Sequence, residues 1–243
     1  MRPDATQKLK AAAGKRRLNP AVVGAVIAAV VLVAVVVVVL VASAGKSSLS
    51  ALTPAGAVAG PAAGIVASGA PVKAGAPVVD LYEDFQCPIC ARFEEAFGAQ
   101  LADLAAAGQV KLVVHTLSFL DTNLHNDSST RAAVAAGCAA DAGKFAAYHS
   151  AVFVGQPTTE GVGYTDAALA GFASTAGITG PALTTWRACV SSARYAGFVA
   201  AVQTAAEKAG VFGTPTLKVN GKDITKTLTT PQALVATIKA ASK

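Results

Sequence analysis

The chain has 243 residues, 53% hydrophobic and 14% charged, with 22 Gly, 11 Pro and 4 Cys, which suits one globular domain of about 100–200 residues with appendages. The apolar fraction excludes disorder throughout, and four Cys in so long a chain exclude a small disulfide scaffold. The formal charge of +6 is concentrated at one end: Arg2, Lys8, Lys10, Lys15, Arg16 and Arg17 face only Asp4 in the first 17 residues, whereas residues 46–243 hold 14 basic and 13 acidic side chains. The body of the chain has no basic footprint for a polyanion, so nucleic acid is not expected as a partner.

The basic residues 1–20 precede 24 uncharged ones, Ala21 to Ala44, dominated by Val and Ala. As a helix rising about 1.5 Å per residue, this run reaches about 36 Å and can cross a hydrocarbon core of about 30 Å. The Val run 35–39 favours strand in water, but a lone strand leaves its backbone unsatisfied in lipid, so a transmembrane helix is expected. The positive flank places the N-terminus in the cytoplasm and the remainder outside it. Ala42-Ser43-Ala44 resembles a signal-peptide cleavage site, but the apolar run exceeds the about 7–15 residues of a signal peptide. An uncleaved single-pass anchor in the cell membrane is therefore the expectation, with cleavage as the alternative.

Residues 45–76 turn to Ala, Gly, Ser and Pro without amphipathic period, the composition of a flexible linker. A folded domain over residues 77–242 follows. Val78 to Phe85 reads as a strand that runs into Gln86-Cys87-Pro88-Ile89-Cys90. Phe93, Phe97, Leu101 and Leu104 then mark one helical face, with Arg92, Glu94, Glu95 and Asp103 largely off it. Gly108 stops that helix, and Val110 to Val114 reads as a buried strand, so the two strands are expected to be parallel. Residues 127–210 lack strand-like runs and are Ala-rich, which implies several helices. Thr216 to Val219 and Asp223 to Lys226 flank Asn220-Gly221, a strong hairpin signal. Pro231 opens a closing helix.

Cys87 and Cys90 carry the chemistry. They stand at the start of a helix that follows a buried strand, and Pro88 occupies a first-turn position where a missing N–H is harmless. Unpaired N–H groups and the positive helix end favour a thiolate at Cys87, and Cys90, one turn on, can close the disulfide or resolve a mixed one. Half of a zinc site is the alternative, but it needs another short-spaced pair, and Cys138 and Cys189 are 51 residues apart. Copper is disfavoured because none of His115, His125 and His149 flanks the motif. No metal and no cofactor are therefore assigned. In an extracytoplasmic chain Cys138 and Cys189 are most economically a structural disulfide, with two buried thiols as the alternative.

The run Val78-Val79-Asp80-Leu81-Tyr82-Glu83-Asp84-Phe85-Gln86-Cys87-Pro88-Ile89-Cys90, followed by Phe93-Glu94, together with Gly213-Thr214-Pro215-Thr216 before a strand, resembles the DsbA-like thiol-disulfide oxidoreductases of the thioredoxin superfamily, and more closely their membrane-anchored actinobacterial forms. The resemblance covers about residues 72–242. It implies an α/β thioredoxin-like fold with an inserted α-helical domain at about 121–210, here preceded by one N-terminal transmembrane helix. It also implies catalytic roles for Cys87, Cys90 and Pro215, the last as the family's cis-proline facing the Cys pair. Thr214, Pro88 and Ile89 are then the residues that meet substrate.

The implied activity is insertion of disulfide bonds into unfolded or reduced extracytoplasmic proteins by a monomer that a quinone-linked membrane partner reoxidises. A reductase or isomerase, or a binding module without catalysis, are the alternatives. The chain departs from the family pattern twice. Ile89 stands where strong oxidants carry His, and Leu81 stands six residues before Cys87, where relatives often bury an acid for proton transfer. Asp80, Glu83 and Asp84 are the nearby acids, each with an exposed strand-end position as the alternative.

Overall fold

The structure, a computed structural model, describes residues 52–58, 64–67 and 69–242. The expected basic segment and transmembrane helix lie outside the described residues, and among those described no helix is long and apolar enough to cross a membrane.

Five strands form one mixed sheet in the order β1-β3-β2-β4-β5: β1 (Ile65–Val66), β2 (Val78–Asp84), β3 (Lys111–Leu117), β4 (Thr216–Val219) and β5 (Lys222–Asp223). β2 and β3 are parallel, with Leu81 beside Val114, and the helix joining them makes the crossover that parallel pairing requires. β4 runs antiparallel on the other side of β2, placing Leu217 beside Leu81. Val79, Leu81 and Leu217 are almost fully buried, so β2 is the central strand of the core.

The crossover helix has three parts, α1 (Pro88–Phe93), a π-helical turn (Glu94–Gly98) and α2 (Ala99–Ala106). Between β3 and β4 lie α3 (Phe119–Leu124), α4 (Ser128–Asp141), α5 (Phe145–Val154), α6 (Asp166–Thr175), α7 (Gly180–Ser191) and α8 (Ala196–Lys208), which constitute the helical insertion. α4 is its axis: eleven of its residues are buried, six of them Ala, and small side chains let neighbouring helices approach closely. At Gly137 a Cβ would stand 3.0 Å from the Tyr195 ring. The Trp186 indole donates to Ala135 O at 3.0 Å, fastening α7 to α4. The closing helix α9 (Pro231–Ala240) starts with Pro at its first turn and Thr230 as cap, whose hydroxyl accepts from Ala233 N at 3.1 Å.

Three expectations need correction. The linker expected over 45–76 contains an edge strand. Ile65 and Val66 pair with Val114 and Val113, Ile65 is 2% exposed, and a Cβ at Gly64 would lie 2.7 Å from His115 Nδ1. Glycine thus allows the close approach, and two residues are too few to show a period of two. β3 extends to Leu117, so His115 is a buried strand residue, 3.0 Å from Asp80 and stacked on Tyr82. The hairpin turns at Asn220-Gly221 as expected, both with positive φ, but its second strand ends at Asp223. The Asp223 carboxylate accepts from Thr225 N at 2.9 Å and from its hydroxyl at 2.7 Å, and this local turn replaces the ladder with a 3-10 turn (Thr225–Thr227).

Candidate active site

β2 carries the chain to Asp84, and Phe85-Gln86 lead to Cys87, which caps α1 with extended backbone (φ −77°, ψ 115°) and with Pro88 in the first turn. Cys87 is 6% exposed and Cys90 fully buried, and both are free thiols. The Cys90 thiol, by hydrogen bonding, has the largest influence on Cys87 and lowers its pKa to about 6. The Thr214 hydroxyl and the N–H groups of Cys90 and Ile89 act in the same direction, and burial opposes them. The helix terminus is therefore a contributor, and the neighbouring thiol is the main cause. Cys90 is affected in the opposite sense: burial, its bond to Cys87 and the charge of Glu83 hold its thiol far above the ordinary range.

The Thr214–Pro215 bond is cis, and Cys87 Sγ lies 3.7 Å from Thr214 O. Thr214 Oγ1 is buried and has no hydrogen-bond partner, so its proton is free to turn to the sulfur. The structure thus brings together Cys87, Cys90, Thr214 and the Thr214–Pro215 bond, although 127 positions separate Cys87 from Thr214. Ile89 is 53% exposed beside the dithiol, and Phe212, two residues before Thr214, is 82% exposed. Pro88 and Pro215 are half-buried. Cys138 and Cys189 stand apart from this group as a disulfide joining α4 to α7, with Cα atoms 5.9 Å apart. A bridge closing about 50 residues contributes about 4 kcal/mol in the chain-entropy picture.

The turn before Cys87 is held by the insertion. Asp84 is buried; it accepts from Gln86 N at 2.9 Å, from Ser129 Oγ at 2.5 Å and from Leu120 N at 3.2 Å, and burial raises its pKa to about 7. Gln86 Nε2 donates to Asp121, Asn126 and Ser129 at 2.9–3.0 Å. Gln156 Nε2 reaches Phe85 O at 2.7 Å and Cys87 O at 3.1 Å, and the Tyr164 hydroxyl donates to Phe85 O at 2.5 Å.

None of the nearby acids is an exposed strand-end charge: Asp80 pairs with His115, Asp84 is enclosed as above, and Glu83 is 1% exposed. Burial first, then the charge of Cys87, holds the Glu83 carboxyl well above its ordinary pKa. Its Oε2 lies 2.8 Å from His149 Nε2. Leu81, six residues before Cys87, is a core residue, and Glu83, two residues on, shares its face of β2. The signal was in the alternation Val79, Leu81, Glu83, where a carboxylate takes an apolar position. Glu94 also differs from expectation: it is half-buried, and burial together with the neighbouring Glu83 raises its pKa to about 7.

A thioredoxin family model matches residues 70–240. The chain is similar to reduced DsbA from Mycobacterium tuberculosis, with 32% identity and a TM-score of 0.59 over 72% of this chain and 89% of that one. It is similar to the reduced disulfide bond oxidoreductase DsbG of the same organism at 31% identity and a TM-score of 0.58, covering 72% and 85% of the two chains. The MdbA thiol-disulfide oxidoreductase of Corynebacterium diphtheriae shares the fold at 22% identity and a TM-score of 0.60 over 81% of this chain and 98% of that one. No curated protein matches the sequence. With the family model spanning most of the chain, and a 32% identical relative covered over 89% of its length, the chain belongs to the DsbA-like thiol-disulfide oxidoreductases of the thioredoxin superfamily.

Proposed function

We propose that the chain is a membrane-anchored oxidase that inserts disulfide bonds into unfolded or reduced proteins outside the cytoplasm. A substrate thiolate attacks Cys87 Sγ of the Cys87–Cys90 disulfide, and Cys90 leaves as thiolate and takes up a proton. A second substrate thiolate then attacks the substrate sulfur of the mixed disulfide and expels Cys87 as thiolate. The substrate gains one disulfide, and the protein takes up two electrons, which a quinone-linked membrane partner removes.

The observation that carries this reading is the asymmetry of the pair: Cys87 is lowered to about 6, while Cys90 is buried and raised. A low-pKa sulfur is the better leaving group, and stabilising it as thiolate favours the reduced form, which makes the disulfide oxidising. The exposed Ile89 and Phe212 suit an extended apolar segment, whose backbone would pair beside Thr214. The apolar run 21–44 supports the anchor, and the Cys138–Cys189 bridge supports an oxidising compartment. The monomeric state belongs to the same reading.

Equilibration of the full chain with glutathione tests the direction of electron flow. The expected potential lies between about −270 mV, that of thioredoxin, and about −120 mV, that of the strongest oxidant of this type. A value below that of thioredoxin would make the protein a reductase.

A further inference from the structure

Glu83, Glu94 and His149 come from β2, the π-helical turn and α5, yet one donor atom from each lies within 4.8 Å of the others. Glu83 Oε2 is 2.8 Å from His149 Nε2, and Glu83 Oε1 is buried with no partner. A buried carboxylate oxygen left unpaired is rare, and a bound ion is one of the few things that accounts for it. Among the described residues no lysine or arginine forms an ion pair with either carboxylate.

The surroundings are built to hold these three groups. Phe85, Phe145 and Phe153 surround the His149 imidazole at centroid distances of 5.7, 6.0 and 5.0 Å. A Cβ at Gly98 would stand 2.5 Å from Glu94 Oε2, so glycine there clears the space that the carboxylate occupies. The π-helical geometry of Glu94–Gly98 is an interruption of the kind often found at functional sites. Glu94 and His149 line a cavity of about 810 Å³ between the crossover helix, the sheet and α5, which gives an ion a route to the cluster.

We propose that Glu83, Glu94 and His149 bind a divalent first-row cation, Zn²⁺ foremost, through two carboxylate oxygens and one imidazole nitrogen. Calcium and magnesium prefer six or more oxygen ligands including water, and soft ions prefer sulfur, whereas a mixed N/O set suits zinc. Three protein ligands leave a fourth position for water or another small ligand. The cation gives the buried Glu83 carboxylate, whose Oε1 has no partner, a counter-charge that it shares with Glu94.

The test uses the untagged full chain with Cys87 and Cys90 oxidised to their disulfide, so that no thiol competes for metal and the result does not depend on exchange activity. Titration with Zn²⁺ against a chromophoric chelator should show one saturable equivalent, and Co²⁺ should occupy the same site with a visible spectrum. Glu94→Gln and His149→Asn should each weaken binding at least about tenfold, with far-ultraviolet circular dichroism checking the fold. Glu94 is half-buried, so Glu94→Gln keeps the test decisive should His149→Asn fail to fold. Absence of a saturable equivalent in the wild type, or equal affinity in a folded Glu94→Gln, overturns the proposal.

Discussion

Cys138 and Cys189 are bonded across two helices of the insertion, whereas Cys87 and Cys90 are thiols at the head of α1. Burial does not separate Cys138, 2% exposed, from Cys87, 6% exposed. Their surroundings do. Cys138 sits in a run of buried alanines, Ala135, Ala136 and Ala139. Cys87 faces a second thiol, a hydroxyl and two N–H groups, all of which favour its charged form. Reactivity at sulfur is set by which groups can stabilise a thiolate, and these gather at Cys87, whereas the Cys138 sulfur is tied up in its bond to Cys189.

The largest effect expected from breaking this contrast is at Cys87. Cys87→Ser should reduce exchange to the background rate, while Cys90→Ala should accumulate mixed disulfides with substrate, resolved on non-reducing gels; equal trapping by both variants would erase the distinction between attacked and resolving sulfur. Next, Cys138→Ala with Cys189→Ala should lower unfolding free energy by about 2–4 kcal/mol in denaturant titrations and leave most exchange activity at temperatures where the chain stays folded. Loss of exchange at unchanged stability would mean that the second pair passes electrons.

Smaller effects sharpen the comparison. Ile89→His should lower the Cys87 pKa and shift the potential positive, by about 30 mV for each tenfold gain in the oxidising equilibrium constant, because a stabilised thiolate favours the reduced form. Alkylation of the reduced wild type should rise with pH to a plateau, with its midpoint near 6 against about 8.5 for a free thiol. The smallest change is Thr214→Val. Removing the hydroxyl withdraws a stabiliser of the thiolate, so the alkylation midpoint should rise by about half a unit, and an unchanged midpoint would remove Thr214 from the thiolate's environment.

Legibility in the sequence followed the range of the interactions. The Cys87–Cys90 spacing, the strand before it and the Asn220-Gly221 turn are local patterns, and each appears where the sequence puts it. The Thr214–Pro215 segment became legible only through family resemblance, because nothing within a few residues of Thr214 indicates that Cys87 lies beside it. The Glu83–His149 contact spans 66 positions and involves a His on a helix that otherwise reads as core. The clasp of Asp84 and Gln86 by Leu120, Asp121, Asn126 and Ser129 has no period at all, since polar contacts between separate elements follow from packing. The edge strand at Ile65 was hidden because its flanks have the composition of a linker.

That clasp bears on what is modular in this protein. Asp84, Phe85, Gln86 and Cys87 lie at the end of β2 and the head of α1, yet beyond the bonds within the turn itself their carboxylate, side-chain amide and carbonyls are held by Leu120, Asp121, Asn126, Ser129, Gln156 and Tyr164 of the insertion. Cutting the chain back to a bare strand-and-helix minimum would remove α3 to α8 and hand Asp84 and the carbonyl of Phe85 to water. The helical insertion thus serves as a scaffold for the turn that carries Cys87.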